Sequence, residues 1–329
     1  MKQEGGKSSV QWAASGEKSA TQPLATRSSF FAPHCFHFSS SPLRILLDPP
    51  ADGPWNMAVD EALLEAAGNG QCTLRFYQWQ QPTLSLGYFQ SYENRWQHGP
   101  SSRCVAVRRA SGGGAILHDI EITYSLALAA NHPLAVNRLE LYRAIHATLI
   151  ETLTDWGIHA TLYTPPDHAS NSICIKEQQP AVCLHHVKPQ PASQFGCGAS
   201  QEKAAGVKES FLCFQRRAPG DVLLNGTKIA GSAQRRCRGA VLQHGSILLG
   251  QSTAAPELPG INDLSGKQIA PVHLIEAWLR RLVTPSSDGM EGDSLPHGQY
   301  NRAMELVDAK YGSIAWTEHR NRTYLFRGF

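Results

Sequence analysis

The sequence predicts an α+β domain, and three observations carry that prediction. Short strand candidates fall into two runs, 43–128 and 211–249; one long helical pattern separates the runs; and two further helical patterns follow residue 250.

Taken in order, residues 1–41 are rich in Ser, Ala, Gln and Gly, with no apolar segment of signal-peptide length. They read as a disordered leader or an over-extended start, and Glu4 and Glu17 argue against a transit peptide. LRILLD (43–48) is an opening strand. A helix follows, with Pro54 in its first turn and Gly68 at its C-terminal stop. TLRFYQW (73–79), TLSLGYF (83–89) and CVAVRR (104–109) are strands, and in the last Val105 and Val107 alternate with smaller or polar residues. AILH and EITYSLAL continue the sheet after a glycine triplet. Asn137 caps a long helix in which Leu141, Ile145, Leu149, Leu153 and Trp156 share one face, and Gly157 stops it.

Residues 164–208 hold prolines and small polar residues without periodicity and read as an insertion, mobile in part. FLCF and DVLL are strands, and Asn225-Gly226 joins DVLL to KIAGSAQ in a two-residue hairpin, because both positions tolerate positive φ. GAVLQHGSILL (239–249) closes the sheet region. HLIEAWLRRLV and YNRAMELVDAKYG are amphipathic helices separated by a Ser/Gly/Asp linker. The expected organisation is a leader (1–41), a catalytic domain (42–255) and a helical C-terminal extension (256–329).

Composition narrows the function. A net charge of +3 with no Lys/Arg run excludes bulk nucleic-acid binding. No apolar run reaches bilayer-spanning length. Eight cysteines without a CxxC are not a disulfide framework in a chain of 329 residues; reduced thiols in the cytoplasm fit them better. Cys174, Cys183, His185, His186 and Cys197 lack the paired spacing of a zinc site, as does HCFH (34–37), so no metal is expected.

Three stretches carry chemistry. In RRASGGGAILHD (108–119) three consecutive glycines weaken a strand but let the backbone approach a ligand, and Arg109 supplies a planar donor fork for a phosphate or carboxylate. In NGTKIAGSAQRR (225–236) Lys228 follows the hairpin turn, where its ammonium is able to face an acyl or phosphoryl oxygen or simply solvent. In LQHGSILL (242–249) His244 and Gly245 interrupt an apolar strand. Cys213, fifteen positions before Lys228, is either a packing residue or a nucleophile.

Together these stretches resemble the lipoate–protein ligase A / octanoyltransferase superfamily, related to the biotin protein ligases. GPWNMAVDEALL (53–64), LRFYQWQQPTLSLGYFQ (74–90), RRASGGGAILHD, ITYS (122–125), NGTKIAGSAQRR and LQHGSILL carry the resemblance. It implies a mixed, largely antiparallel sheet flanked by helices. It also implies an acyl site formed by Arg109, Ser111, Gly112, Gly113, Gly114, Ala115, Ile116, Leu117 and His118 with Gly231, Ser232 and His244. The Cys213-Phe214 pair upstream of the hairpin, and the short tail around KYGSIAWTEHR (310–320), are closest to the cysteine-dependent LipM-type octanoyltransferases.

That branch implies a thioester on Cys213 with Lys228 as its catalytic partner, octanoyl-acyl carrier protein as donor, and a lysine of a lipoyl domain or glycine-cleavage H-type carrier protein as acceptor. It implies a monomer with no cofactor; the ATP-dependent ligase alternative would use ATP and Mg and no cysteine. Lipoyl transfer between carrier proteins and non-catalytic binding are the remaining alternatives. Arg216, Arg217, Arg235, Arg236 and Arg238 are expected to cluster around the hairpin, as a solvated strand face by default or as a docking surface for acidic carriers.

Overall fold

The computed structural model describes residues 43–166, 210–283 and 292–321. The leader, nearly all of the 164–208 insertion with its cysteines and histidines, and the Ser/Gly/Asp linker lie outside them. Two sheets form. The larger has seven strands in the order β1 (Leu43–Leu47), β2 (Cys72–Tyr77), β6 (Glu121–Leu128), β10 (Ala240–Leu248), β9 (Thr227–Cys237), β8 (Val222–Leu224) and β7 (Ala160–Leu162). Only β1 and β2 run parallel in it; the other pairs are antiparallel. The smaller has the order β4 (Val105–Arg108), β3 (Thr83–Leu86), β5 (Ile116–His118), with β3 and β4 parallel. The mixed, mostly antiparallel arrangement flanked by helices is the expected one.

One face of the large sheet is covered by α3 (Arg138–Asp155), which follows the short α2 (Pro133–Val136), and by α5 (Pro271–Leu282), which follows the short α4 (Ile261–Ser265). Asn137 caps α3 by accepting from the amides of Leu139 and Glu140, and Leu141, Ile145, Leu149 and Leu153 are all buried beneath it. Gly157 ends the helix with φ +70°. Trp278 of α5 is wholly buried against Phe76 and Tyr124 and donates its indole N–H to Thr148 at 2.9 Å. The opposite face carries α1 (Gly53–Ala67), α6 (His297–Leu306), a π turn (Val307–Tyr311) and α7 (Ile314–His319). The helices beyond residue 256 contribute side chains to both cores. Among the described residues no helix is long and apolar enough to cross a membrane.

Two expectations need correction. AILH does not continue the sheet of EITYSLAL: the glycine turn, with Gly113 at φ +98°, returns β5 onto β3 and makes a second sheet. FLCF is not a strand: Leu212 makes one isolated bridge to Ala115, and Cys213–Gln215 is a 3-10 turn. Gly68 ends α1 as expected, in right-handed conformation, and the left-handed residue is Gly70, φ +91°. The Asn225-Gly226 hairpin is as expected, with φ +49° and +75°.

Candidate active site

The glycine turn is assembled first, because Arg109 is spent on it. Its guanidinium donates to Ser85 O at 2.7 Å, Ser85 Oγ at 2.6 Å, Gly114 O at 2.9 Å and Gly112 O at 3.3 Å. Burial lowers Arg109 to about 10, against the pull of Cys213 beside it. The expected donor fork for a ligand is instead a clamp on the turn's own carbonyls; only Nε lacks a partner. His118 braces Ser85 at 2.6 Å, pairs with Glu121 at 2.7 Å and stacks on Trp79 at 3.9 Å. Burial lowers the His118 pKa, which keeps the ring neutral.

Cys213 hangs on that turn. Its amide donates to Ala115 O at 2.7 Å, and Ala115 N donates to Phe211 O at 3.1 Å. A Cβ at Gly114 would come within 3.1 Å of Cys213 Cα, so glycine is what lets the two backbones meet. Lys228 arrives from the other side. Its Nζ lies 3.7 Å from Cys213 Sγ, 3.4 Å from Cys213 O and 2.8 Å from Asp221 Oδ2, at 5 % exposure. A buried ammonium needs a counterion, and Asp221 is it. Tyr142 OH and the Ala218 amide each donate to Asp221 at 2.7 Å. Being next to Asp221 and buried raises the Tyr142 hydroxyl's pKa well beyond the ordinary range, so it stays a donor.

A β-bulge makes the meeting possible. Val222 pairs with Ala230 but Leu223 pairs with Lys228, so Ile229 is one residue extra. Strict alternation would put Lys228 and Ser232 on one face. The bulge instead places Lys228 over Gly231, while Ser232 turns its hydroxyl to the far face, bonded to Tyr124 and His146 at 2.7 Å each.

His244, on β10, joins Ser111 to α1. Its Nε2 is 2.5 Å from Ser111 Oγ and its Nδ1 is 3.0 Å from Asp60 Oδ2. Asp60 also pairs with Arg75 at 3.0 Å and accepts from Tyr77 OH at 3.0 Å. Burial opposes its charge, but the His244 hydrogen bond and Arg75 outweigh it and hold the carboxyl below its ordinary value.

Two cavities meet here. A narrow one of about 50 Å³ is lined by Cys213, Lys228, Arg109, Trp79, Phe214 and His244 among others. A cleft of about 670 Å³ opens beside it between α1, β10 and the π turn. Met57 and His244 line both.

Of the expected site residues, Cys213, Lys228, Arg109, Gly112, Gly113, Ile116, His118, Gly231, Ser232 and His244 border the narrow cavity, Ser232 with its hydroxyl turned away. Ser111 borders the cleft. Gly114 and Ala115 act through backbone contacts with the Cys213 segment, and Leu117 packs in the small sheet's core. Asp221, Asp60 and Trp79 were not anticipated. A counterion for Lys228 was inferable from the rule that buried charges are paired; nothing marked Asp60 within an otherwise ordinary helix. The arginines do not form one cluster. Arg217 donates to Gly226 at the hairpin turn, whereas Arg235, Arg236 and Arg238 sit at the other end of β9, roughly 30 Å away at strand rise. Among the described residues no group of three or more metal-ligating side chains gathers.

The chain is similar to octanoyltransferase LipM of Geobacillus kaustophilus, 29% identical over 300 residues that cover 83% of this chain and 95% of that protein. It is 34% identical to octanoyltransferase LipM of Kyrpidia tusciae, covering 83% and 97%. Its fold is similar to that of a putative lipoate protein ligase from T. acidophilum solved with lipoic acid: TM-score 0.59, 19% identity, 84% of this chain and 98% of that one. Residues 52–257, from the cap of α1 to just past β10, match the lipoyl protein ligase A/B catalytic domain, and the chain belongs to that family.

Proposed function

We propose that this protein is an octanoyltransferase that moves an octanoyl group from acyl carrier protein, through a thioester on Cys213, to a lysine of a lipoyl domain or H-type carrier protein. The observation that carries the reading is the Lys228 ammonium 3.7 Å from Cys213 Sγ at the end of a narrow cavity. An ATP-dependent ligase needs no thiol there.

The geometry supports each step. The ammonium stabilises negative charge on sulfur, so the thiolate attacks the donor's thioester carbonyl. Charge then develops on the carbonyl oxygen, and Lys228 is close enough to face it. Collapse expels the donor's thiol and leaves octanoyl-Cys213. Trp79, Ile116 and Phe214 offer the chain an apolar wall. The acceptor lysine attacks this thioester, forms the amide and releases Cys213. The chemistry requires a reduced thiol, which suits the expected cytoplasmic setting.

Incubation with octanoyl-acyl carrier protein should add one octanoyl mass that hydroxylamine removes, and Cys213→Ala should abolish it. Transfer to a lipoyl domain should proceed without Mg-ATP. Accumulation of the adduct on Cys213→Ala, or an absolute need for Mg-ATP, defeats the proposal.

A further inference from the structure

An acyl-thioester on Cys213 creates a second demand that Lys228 does not meet. The acceptor's lysine arrives as an ammonium, which has no lone pair with which to attack. It must lose a proton inside the protein, and Lys228, itself cationic and tied to Asp221, is not the acceptor for it.

We propose that the 670 Å³ cleft is the channel by which the acceptor lysine enters, and that Ser111, His244 and Asp60 form the relay that removes its proton. This rests on the octanoyltransferase reading and adds the second half-reaction to it.

Position is the first argument. Among the described residues the cleft and the narrow cavity share two side chains, Met57 and His244. An amine that enters by the cleft and moves on toward Cys213 therefore passes His244. Ser111 lines the cleft side of that junction, and Cys213 and Lys228 line the other.

Tautomer is the second. Asp60 is held as a carboxylate by Arg75 and Tyr77 OH, so His244 Nδ1 carries the hydrogen that Asp60 accepts at 3.0 Å. Nε2 is then a lone pair, and it accepts from the Ser111 hydroxyl at 2.5 Å. Ser111 Oγ keeps its own lone pairs for a donor in the cleft. The order Asp–His–Ser is that of hydrolase triads, with the serine as conduit and a separate cysteine as nucleophile.

Protons balance. The ammonium gives one proton through Ser111 Oγ to His244 Nε2 and becomes an amine. The amine attacks the thioester carbonyl, the C–S bond breaks, and the second nitrogen proton goes to the leaving Cys213 sulfur. Products are the amide, a thiol and an imidazolium, which returns its proton to solvent through the cleft.

Charged groups surround His244. Asp60 bonds it from α1, where Glu61 also borders the cleft, and Arg75 and Tyr77 reach it from β2 through Asp60. His118 on β5 acts across the narrow cavity, where Cys213 and Lys228 also lie; Lys310 and Arg235 border the cleft.

The test separates the half-reactions. Cys213 is octanoylated with octanoyl p-nitrophenyl ester, so that loading does not depend on the carrier-protein donor. Transfer to a lipoyl domain is then followed by intact mass between pH 6 and 9. His244→Gln should slow transfer at pH 7 at least 100-fold more than it slows loading, with a thermal melt recorded for each protein. Its transfer rate should rise about tenfold per pH unit, because free amine now limits. Ser111→Ala, which leaves the His244–Asp60 pair intact, should slow transfer about tenfold. If His244→Gln slows loading and transfer equally, or keeps the wild-type pH profile of transfer, the relay is wrong. If chemically loaded enzyme transfers in a His244-dependent way while octanoyl-acyl carrier protein fails to load it, the relay stands and the donor assignment falls.

Discussion

Gly231→Ala isolates the ammonium at the reacting centre. Gly231 has an ordinary backbone conformation, so alanine is tolerated locally, and the loss of unfolded-chain freedom contributes about 0.4–1 kcal/mol in its favour. The new methyl would lie 2.5 Å from Lys228 Cε, 2.8 Å from Nζ and 3.1 Å from Asp221 Oδ1. Carbon contacts relax to roughly 3.5 Å, so the lysine head must retreat by about 1 Å. Withdrawing the ammonium from 3.7 Å to about 4.7 Å from sulfur weakens the attraction from about 4.5 to about 3.5 kcal/mol at an effective dielectric of about 20. A single negative charge is shared between the sulfur and the developing oxyanion, so the loss is about 1 kcal/mol in all, or roughly fivefold in rate.

Single-turnover octanoylation of Cys213, followed by intact mass, reads this directly, with a thermal melt alongside. Lys228→Met, which removes the charge, should fall further, by about 100- to 1,000-fold. A Gly231→Ala protein that loads within threefold of wild type while Lys228→Met is impaired would show that the lysine's position does not matter. The electrostatic reasoning would then be wrong.

Other perturbations probe the supporting frame. Asp221→Asn leaves the Lys228 ammonium buried without its carboxylate and should destabilise the fold by about 3–5 kcal/mol, measured by chemical denaturation. Gly87→Ala would set a methyl 2.0 Å from Gly113 O, a backbone atom unable to swing aside, so stability should drop by about 1–3 kcal/mol together with loading rate; a variant with normal loading would detach the turn from catalysis. Burial lowers His146 from 6.5 to about 4, against its hydrogen bond to Gly220 O. The unfolded chain therefore takes up the proton first. Stability is complete above pH 6.5 and falls by up to about 3 kcal/mol as pH drops towards 4. His146→Gln should flatten that part of the stability–pH curve.

The residues that declared themselves in sequence did so through local backbone requirements. Asn225-Gly226 announces a turn because both adopt positive φ, and Asn137 with the Leu141–Leu153 stripe announces α3 because cap and periodicity agree. Cys213 and Lys228 were legible as a pair only through the family resemblance, since fifteen residues of chain do not say that sulfur and nitrogen meet. What stayed hidden was non-local. The division into two sheets depends on where the glycine turn sends β5. The direction of Ser232 depends on Ile229 being an extra residue opposite β8, which no pattern in KIAGSAQ reveals. Asp60 and Asp221 acquire meaning only from the cations they neutralise.

The attachment of Cys213 has a mechanical consequence. Its backbone is bonded to the glycine turn at Ala115, through Cys213 N to Ala115 O and Ala115 N to Phe211 O, and Ala115 follows directly on Gly114. Gly114 O is in turn gripped by Arg109, whose other donors hold Ser85 and Gly112. Ser85 belongs to β3 and is braced by His118 and Glu121. The sulfur is therefore positioned by the glycine turn, and the turn by a buried guanidinium with one unpartnered N–H, at Nε. Lys228 is held by a different frame, Asp221 and Tyr142 on the far side of the large sheet. The two frames meet where the ammonium contacts Cys213, at 3.7 Å from the sulfur and 3.4 Å from the carbonyl oxygen. Arg109→Lys should accordingly loosen the nucleophile without moving the cation. Loading should fall about tenfold or more, because a lysine cannot span four acceptors. The Asp221–Lys228 pair and its share of stability should survive. Loading unchanged in that variant would mean that the turn does not position the sulfur.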